Sequence, residues 1–508
     1  MHAPVTSPRE IGLLKIVVFL AGAVLMALEI LGSRVLAPNF GSSVYVWGSL
    51  ISTFLVALSA GYALGGRFAD RKPTIAALSL ILALAAALML PSIVWPQRIL
   101  DGIAKFEWDV RWSALAAAVV LFLPASLAMG MVTPFAVRIG IRKMEAAGTV
   151  SGGYSALSTA GSIAGTLAAT FLLIPAFPVG TLLVGLAVTL LACAVVLARD
   201  RPSAVIVVLS AAAVAAAIAG RFTPAPVGGE KVLFRKDTPY HHLVVTQLDS
   251  SRWLRFDTLV QSGVDISRPN RSITGYDEAL LATLAFRPGI HRVCVIGLGG
   301  GAFPRAFARL RPDAEIDTVE IDPVVRDVAR NYFLYQESDR LRTIIADGRV
   351  FLRRPGPAYD LIILDAFNST GVPFHLTTRE FFEIVRSRLT PNGIFAANFV
   401  GQLMGGEGRL FWATYKTIRR QFGQVWVASN YIAEGRPPIA GNILVFATIS
   451  GDALDIETLR HGAAELAKRW DLRNTDHYLG ALVHSPEAPE GIPELTDAYA
   501  PVEALQNF

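Results

Sequence analysis

The chain has 508 residues, enough for several domains, and only 17% of them are charged. Its mean hydropathy of +0.46 is extreme for a soluble protein. The net charge of +5 is small, so the composition does not favour a nucleic-acid partner. Cys193 and Cys294 are the only cysteines, so neither a disulfide framework nor a cysteine-based metal site is expected.

Long apolar runs dominate residues 1–222. A membrane-spanning helix needs roughly 20 mostly apolar residues. We therefore expect a transmembrane domain of about seven helices in contact with the lipid bilayer, and hence a multi-pass protein of the cell membrane. The predicted spans are 13–36, 47–66, 74–94, 112–133, 154–175, 179–198 and 203–220.

The pattern changes in the second half of the chain, where charges reach the density of a soluble protein. A β-rich part at 227–290 is expected to precede an α/β domain at 291–450 and a C-terminal helix and tail at 451–508. In the α/β domain, short apolar strands alternate with helical stretches, which predicts a parallel sheet covered by helices on both faces. The predicted strands are 232–235, 243–248, 253–256, 293–296, 315–319, 343–345, 361–364 and 394–398, and the clearest helices are 323–332, 378–389 and 456–470.

Four successive predicted strands of the α/β domain end in residues suited to nucleoside binding. Ligands of such sheets bind beyond the carboxyl ends of the strands, where glycines allow close approach and a carboxylate can accept both ribose hydroxyls. The four strand ends supply in turn Gly297, Gly299 and Gly301; Glu320; Asp347 and Gly348; and Asp365. Together they indicate a site for an adenosyl group.

An NAD site is the alternative for the same turn, because Gly297, Gly299 and Ala302 fit the dinucleotide fingerprint. No catalytic pair for a nicotinamide is visible in the sequence. An Asp-Gly pair after the third strand and an acid after the fourth fit an adenosyl sulfonium better.

The stretch from about residue 230 to 400 resembles the spermidine synthases. The resemblance rests on 233–241 (LFRKDTPYH), 276–278 (YDE), the glycine turn, 319–322 (VEID) and 346–348 (ADG). The whole chain resembles a membrane-anchored branch of that family through 28–34 (LEILGSR), 65–71 (GGRFADR), 373–378 (PFHLTT) and 495–503 (LTDAYAPVE).

The resemblance implies a Rossmann-like domain of the methyltransferase and spermidine synthase type, and an aminopropyltransferase of polyamine biosynthesis. The implied donor is decarboxylated S-adenosylmethionine, or S-adenosylmethionine, as a co-substrate rather than a tightly bound cofactor. The implied acceptor is a small amine such as putrescine. The residues implied are Asp365 as base; His241, Gly297, Gly299, Gly301, Glu320, Asp347 and Gly348 for the donor; and Tyr276, Asp277 and Asn368 for the acceptor.

Four positions depart from the family pattern. His241 stands where the family has Gln, Asp277 stands where it has His, and Gly300 and Asn368 stand where it has acids that bind the polyamine. Desolvating a diammonium without a paired carboxylate is unfavourable. We therefore expect putrescine to be a poor acceptor unless another acid compensates, and the candidates are Asp277, Glu278, Asp497 and Glu503. Deleting the chain from residue 495 onward is then expected to abolish acceptor use and to spare donor affinity.

Three matters stay open on the sequence alone. The reaction is either aminopropyl or methyl transfer, or the domain is a nucleoside-binding transporter or sensor without turnover. The oligomeric state also stays open, with a homodimer as one of the alternatives. Basic clusters in alternate loops, with seven spans, put the catalytic domain outside the cell, whereas the supply of the donor argues for the cytoplasm. The clusters are Arg67, Arg71 and Lys72; Arg138, Arg142 and Lys143; and Arg199 and Arg201.

Overall fold

The computed structural model separates the chain into two compact units, Met1–Ala225 and Pro226–Phe508. The residues that it describes are 8–40, 44–106, 108–141, 146–198, 229–257, 259–270, 273–367, 372–401, 403, 408–429, 441–449, 455–472, 478, 482–500 and 505. The predicted span 203–220 and the predicted acceptor residue Asn368 lie outside these ranges.

The described part of the N-terminal unit is helical. Its helices are α1 (Pro8–Phe40), α2 (Val44–Arg71), α3 (Ile75–Leu88), α4 (Leu90–Val94), α5 (Pro96–Ala104), α6 (Val110–Gly130), α7 (Val132–Gly140), α8 (Ala147–Ala168), α9 (Ile174–Ala176) and α10 (Val179–Leu197), with a π-helical turn at Ala169–Leu173. Within the described residues, six helical stretches are long and apolar enough to cross a membrane. They are Arg9–Ala37, Val44–Arg71, Ile75–Val94, Arg111–Gly140, Ala147–Ala176 and Val179–Leu197, and they coincide with the first six predicted spans.

Small residues bring α1 and α8 close together. A Cβ atom at Gly161 would lie 1.9 Å from the carbonyl oxygen of Phe19, and one at Gly165 would lie 2.1 Å from that of Ala23. Any larger residue at these positions would push the helices apart. Close backbone approach of this kind stabilises helix pairs in a bilayer, where burial of apolar surface gives little advantage.

The C-terminal unit begins with a four-stranded antiparallel sheet in the order β1-β2-β3-β4. Its strands are β1 (Lys231–Asp237), β2 (His242–Leu248), β3 (Ser251–Phe256) and β4 (Leu259–Asp265). The first three match predicted strands, and β4 was not predicted. Two short helices follow, α11 (Tyr276–Leu280) and α12 (Thr283–Phe286).

An eight-stranded mixed sheet forms the centre of this unit, in the order β12-β10-β11-β9-β8-β5-β6-β7. The strands are β5 (Arg292–Ile296), β6 (Glu315–Glu320), β7 (Leu341–Ile345), β8 (Tyr359–Leu364), β9 (Leu389–Gly401), β10 (Gln424–Ser429), β11 (Gly441–Thr448) and β12 (Val483–His484). The five strands from β9 to β7 are parallel, as predicted. The sheet is not parallel throughout, because β11, β10 and β12 extend it in antiparallel fashion.

Helices cover both faces of this sheet. They are α13 (Ala302–Leu310), α14 (Pro323–Tyr332), α15 (Gly348–Arg353), α16 (Arg379–Arg388), α17 (Arg409–Arg419) and α18 (Ile456–Trp470), with a 3-10 turn at Phe374–Leu376. Along β5, Val293 and Val295 belong to one buried cluster and Cys294 and Ile296 to the other. This alternation follows from the two-residue period of a strand, and it makes β5 apolar throughout.

Candidate active site

The glycine-rich turn after β5 passes directly against the end of β8. Gly297, Gly299 and Gly301 have φ angles of +99°, +52° and +71°. Residues with a side chain rarely adopt this region of backbone conformation. A Cβ atom at Gly297 would lie 2.1 Å from the carbonyl oxygen of Asp365. Glycine at this position therefore brings Asp365, the predicted base, to the edge of the turn.

Glu320, the last residue of β6, holds the same turn from the neighbouring strand. Its carboxylate accepts hydrogen bonds from the backbone N–H groups of Leu298 (3.1 Å) and Asp322 (2.9 Å). Burial raises the pKa of Glu320 to about 7, although these two hydrogen bonds oppose the change. A buried acid that titrates near neutral pH is typical of a functional site.

Asp347 is the N-cap of α15, the helix that follows β7. Its Oδ1 accepts a hydrogen bond from the N–H of Val350 at 2.9 Å, and its Oδ2 lies 2.9 Å from Nε2 of His375. The hydrogen bond with His375 holds the pKa of Asp347 below its ordinary value. A Cβ atom at Gly348 would lie 2.3 Å from Cγ2 of Ile296, so glycine lets α15 begin close to β5.

Asp365 directly follows β8 and is held by groups from two other elements. Its Oδ2 accepts a hydrogen bond from the Tyr276 hydroxyl at 3.2 Å, and its Oδ1 accepts one from Nδ2 of Asn398 at 3.0 Å. Asn398 in turn accepts a hydrogen bond from Nδ2 of Asn442 at 2.9 Å. Burial raises the pKa of Asp365 to about 6, while the two direct donors favour its ionised form.

The other predicted residues lie in the loop between β1 and β2 and on α11. The buried ring of His241, between β1 and β2, stacks on Phe256 with centroids 4.1 Å apart. Asp277 is also buried, and it accepts a hydrogen bond from the Thr274 hydroxyl at 3.0 Å. Tyr276 thus contacts Asp365 directly. His241 and Asp277 contact Phe256 and Thr274, respectively.

Four polar residues of this region were not identified from the sequence: Asn398, Asn442, His375 and Arg349. Asn398 offered a signal, since it is a polar residue in an otherwise apolar run at a predicted strand end. Across the described ranges, no group of three or more His, Cys, Asp or Glu side chains is arranged to hold a metal ion.

Comparison with known proteins matches residues 275–433 to the spermine/spermidine synthase domain. A polyamine aminopropyltransferase of Vibrio vulnificus is 34% identical over 210 residues, which cover 39% of this chain and 69% of that protein. One of Chromobacterium violaceum is 30% identical over 215 residues, which cover 42% of this chain and 78% of that protein. The chain belongs to the polyamine aminopropyltransferase family. The expected resemblance to spermidine synthases is therefore confirmed.

Solved structures of this family are also similar to the chain. A probable spermidine synthase from Corynebacterium glutamicum matches 54% of this chain and 97% of its own, with a TM-score of 0.41 and 19% identity. Spermidine synthase from Thermotoga maritima matches 50% of this chain and 84% of its own, with a TM-score of 0.40 and 18% identity.

In this member of the polyamine aminopropyltransferase family, a side chain at Gly300 would crowd two neighbouring side chains. A Cβ atom there would lie 2.6 Å from the Ser262 hydroxyl oxygen and 3.0 Å from the ring of Phe333. The space that a longer side chain would need is therefore filled by β4 and by the residue after α14. Gly300 is thus part of a closed wall in this chain.

We expect Gly300→Asp to lower the free energy of unfolding by about 1–3 kcal/mol, because the new side chain must displace Ser262 and the Phe333 ring. Turnover with putrescine should not rise. Gly289→Asp is the matched control, since a Cβ atom there meets nothing within 4 Å. Denaturant unfolding and putrescine kinetics of both variants check this. A stable Gly300→Asp variant with faster putrescine turnover would contradict the closed wall.

Proposed function

We propose that this protein transfers an aminopropyl group from decarboxylated S-adenosylmethionine to an amine acceptor, putrescine or a related amine, with Asp365 as the base. The observation that carries the proposal is the setting of Asp365: its backbone carbonyl lies against the glycine turn, and its carboxylate accepts hydrogen bonds from Tyr276 and Asn398. Membership of the aminopropyltransferase family supports the same reaction.

The proposed reaction needs a base and an oriented acceptor. The acceptor amine loses a proton to Asp365, and its nitrogen forms a bond to the methylene carbon of the aminopropyl group beside the sulfonium. The carbon–sulfur bond breaks, and its electron pair stays on sulfur in 5′-methylthioadenosine. Because the sulfonium is already activated, positioning and electrostatics can supply most of the acceleration.

Asp365 suits this role in its charge and its geometry. With a pKa raised by burial to about 6, it is mostly ionised at neutral pH and still closer to the amine in basicity than an ordinary carboxylate. Tyr276 and Asn398 each hold one of its oxygens, so the carboxylate is oriented before the substrates bind. A fixed negative charge here also stabilises the ammonium that develops during attack.

The donor is proposed to lie across the strand ends. Glu320 would accept the ribose hydroxyls, Asp347 would accept an N–H of the adenine amino group, and the glycine turn would run close to the donor. Each carboxylate oxygen has two lone pairs, so the contacts that Glu320 and Asp347 make with the protein leave capacity for the ligand. His241 would line the nucleoside side, as the resemblance implies.

Acceptor recognition is proposed to rest on Tyr276, Asp277 and Asn368. Gly300 and Asn368 carry no charge, and the carboxylate of Asp497 is paired with Arg349 at 2.5 Å. Asp277 is therefore the acid that we favour for binding an ammonium group, since it is buried and adjoins Tyr276. Because Gly300 and Asn368 stand where the resemblance implies acids, we expect putrescine to be a weaker acceptor than a related amine of lower charge.

Methyl transfer from S-adenosylmethionine is the second candidate, because the missing acids weaken the case for a diamine. The nucleoside product separates the two reactions. Purified full-length protein, incubated with each donor and a panel of amines, is expected to release 5′-methylthioadenosine from the decarboxylated donor. S-adenosylhomocysteine as the sole nucleoside product would contradict aminopropyl transfer.

The enzyme is further proposed to be embedded in the cell membrane through its N-terminal helices. Six described stretches of suitable length and hydropathy support this location. We expect the full-length chain to remain in the membrane fraction after washing with high salt and alkaline carbonate, which remove peripheral proteins. Release by either wash would contradict the proposal.

Tyr276→Phe is expected to shift the acidic limb of the pH–turnover profile to higher pH. Turnover should fall below about pH 6, where Asp365 becomes protonated. The Tyr276 hydroxyl stabilises the ionised carboxylate, so its removal should raise the pKa of Asp365 and shift the limb by roughly 0.5–1 pH unit. The measurement is kcat against pH, with Tyr332→Phe as control because that ring packs against Phe234. An acidic limb at the same pH or at lower pH in Tyr276→Phe would contradict the role of the Tyr276 hydroxyl in stabilising the ionised Asp365 carboxylate.

A further inference from the structure

The C-terminal segment 495–499 is attached to the α/β domain by hydrogen bonds that the backbone groups of Leu495 make. The N–H of Leu495 donates to the Thr417 hydroxyl at 2.9 Å, and the carbonyl of Leu495 accepts from the N–H of Arg379 at 2.8 Å. Thr496 and Tyr499 exchange backbone hydrogen bonds of 2.9 and 3.0 Å, which close a tight turn around Asp497. The segment therefore presents Asp497 in a defined position.

Asp497 binds Arg349, which lies two residues after Asp347. Both guanidinium Nη atoms of Arg349 donate to the Asp497 carboxylate, at 2.7 and 2.5 Å, and the Thr378 hydroxyl donates to it at 2.8 Å. The N–H of Asp497 donates to Glu380 at 2.9 Å. A two-pronged pair between a guanidinium and a carboxylate fixes orientation as well as distance.

Arg349 extends these contacts to Asp347. Its Nη1 also donates to the carbonyl oxygen of His375 at 3.1 Å, and Nε2 of His375 lies 2.9 Å from Oδ2 of Asp347. A chain of contacts thus links Asp497 to Asp347 through Arg349 and His375, with Arg349 bound to the backbone carbonyl of His375 and Asp347 to its ring. With Oδ1 bound to the N–H of Val350, both oxygens of the Asp347 carboxylate are held.

We propose that Asp497, Arg349 and His375 are positioning residues that set the adenine end of the donor site by orienting the Asp347 carboxylate. This inference rests on the proposed function, in which Asp347 accepts an N–H of the adenine amino group. It assigns the C-terminal segment to donor recognition, whereas the sequence suggested that its acids bind the acceptor. The pairing of Asp497 with Arg349 favours a role of the segment in donor recognition over a role in acceptor binding.

A selective effect on the adenine amino group follows from this arrangement. A hydrogen bond to a carboxylate needs a lone pair in the right direction, and an unanchored side chain loses rotamer entropy when it binds. Without the anchoring chain, Asp347 should bind the 6-amino group less well. A nucleoside with a 6-oxo group has no such N–H to donate, so its affinity should be nearly insensitive to the chain.

The test compares two nucleosides, 5′-methylthioadenosine and 5′-methylthioinosine, by calorimetry on the full-length protein. Asp497→Ala is expected to weaken binding of the 6-amino nucleoside about tenfold and that of the 6-oxo nucleoside less than about twofold. Because Asp497→Ala also removes part of the docking of the segment, His375→Ala provides a second variant, expected to give the same selective loss. Glu494→Ala is the control, since Glu494 lies just before the segment and pairs with Arg420 instead.

The outcomes separate this inference from the proposed function. Equal losses for both nucleosides, or no loss for either, would overturn the positioning role. Asp347→Asn calibrates the experiment, because it removes the carboxylate itself. If Asp347→Asn leaves affinity for the 6-amino nucleoside unchanged, the assignment of Asp347 to the adenine is wrong. If Asp347→Asn weakens binding and both Asp497→Ala and His375→Ala do not, only the positioning role is wrong.

Discussion

Asp365→Asn is expected to lower kcat at least about 100-fold, the low end of the effect of removing a general base. Donor affinity should change less than about twofold, because asparagine has nearly the same shape. Its amide oxygen can still accept from Asn398, and its amide nitrogen can donate to the Tyr276 hydroxyl, so both neighbouring contacts remain satisfied. The variant removes only the charge and the proton acceptor.

The experiment measures release of 5′-methylthioadenosine at saturating substrates and, separately, the calorimetric affinity for that nucleoside. Asp313→Asn serves as the matched control, since its carboxylate is half exposed and pairs with Arg311 on the surface. Near-normal turnover of Asp365→Asn on the true acceptor would mean that Asp365 has a structural role only. A parallel fall in donor affinity would mean that the residue binds the nucleoside.

The strand ends of the site could be predicted from the sequence because the signals there are local. A buried strand is a short apolar run, so the residue that ends it stands out when it is charged or is a glycine. Glu320 ends β6, Asp347 caps α15 and Asp365 directly follows β8. Parallel strands place their carboxyl ends at one edge of a sheet, which is why these residues were expected to converge.

The supporting contacts could not be predicted, because each joins residues that are far apart in the chain. Asn398 lies 33 residues after Asp365, and Arg349 lies 148 residues before Asp497. The periodicity of apolar residues relates positions within one helix or strand, and it cannot relate residues so far apart in the chain. The register between β9 and β11, which sets Leu444 opposite Asn398 and Asn442 opposite Val400, depends on packing of the whole sheet.

The antiparallel extension of the sheet was missed for a related reason. β10 and β11 are apolar runs, and an apolar run alone does not determine strand direction or partner. β4 was missed because Gly263 and two polar residues interrupt its pattern. A Cβ atom at Gly263 would lie 2.7 Å from the Trp253 ring, so that glycine allows the cross-strand packing of a large aromatic side chain.

Glu320→Gln is expected to weaken nucleoside binding by about 1.5–3 kcal/mol, or roughly 10- to 150-fold. The carboxylate is the proposed acceptor for the ribose hydroxyls, and hydrogen bonds to a charged group are stronger than those to a neutral amide. The glutamine also presents an N–H₂ group where the carboxylate accepted from Leu298 and Asp322. One of those backbone donors then loses its partner, which adds to the loss.

The pH dependence of binding distinguishes this role from a purely structural one. Burial raises the pKa of Glu320 to about 7, so the ionised form that accepts both hydroxyls becomes predominant only above that pH. Wild-type affinity should therefore rise from about pH 6 to about pH 8, and the rise should be absent in Glu320→Gln. Glu315→Gln, on the same strand with an exposed carboxylate paired to Arg292, should behave as wild type. Affinity of Glu320→Gln within twofold of wild type at about pH 8 would exclude Glu320 as the ribose ligand.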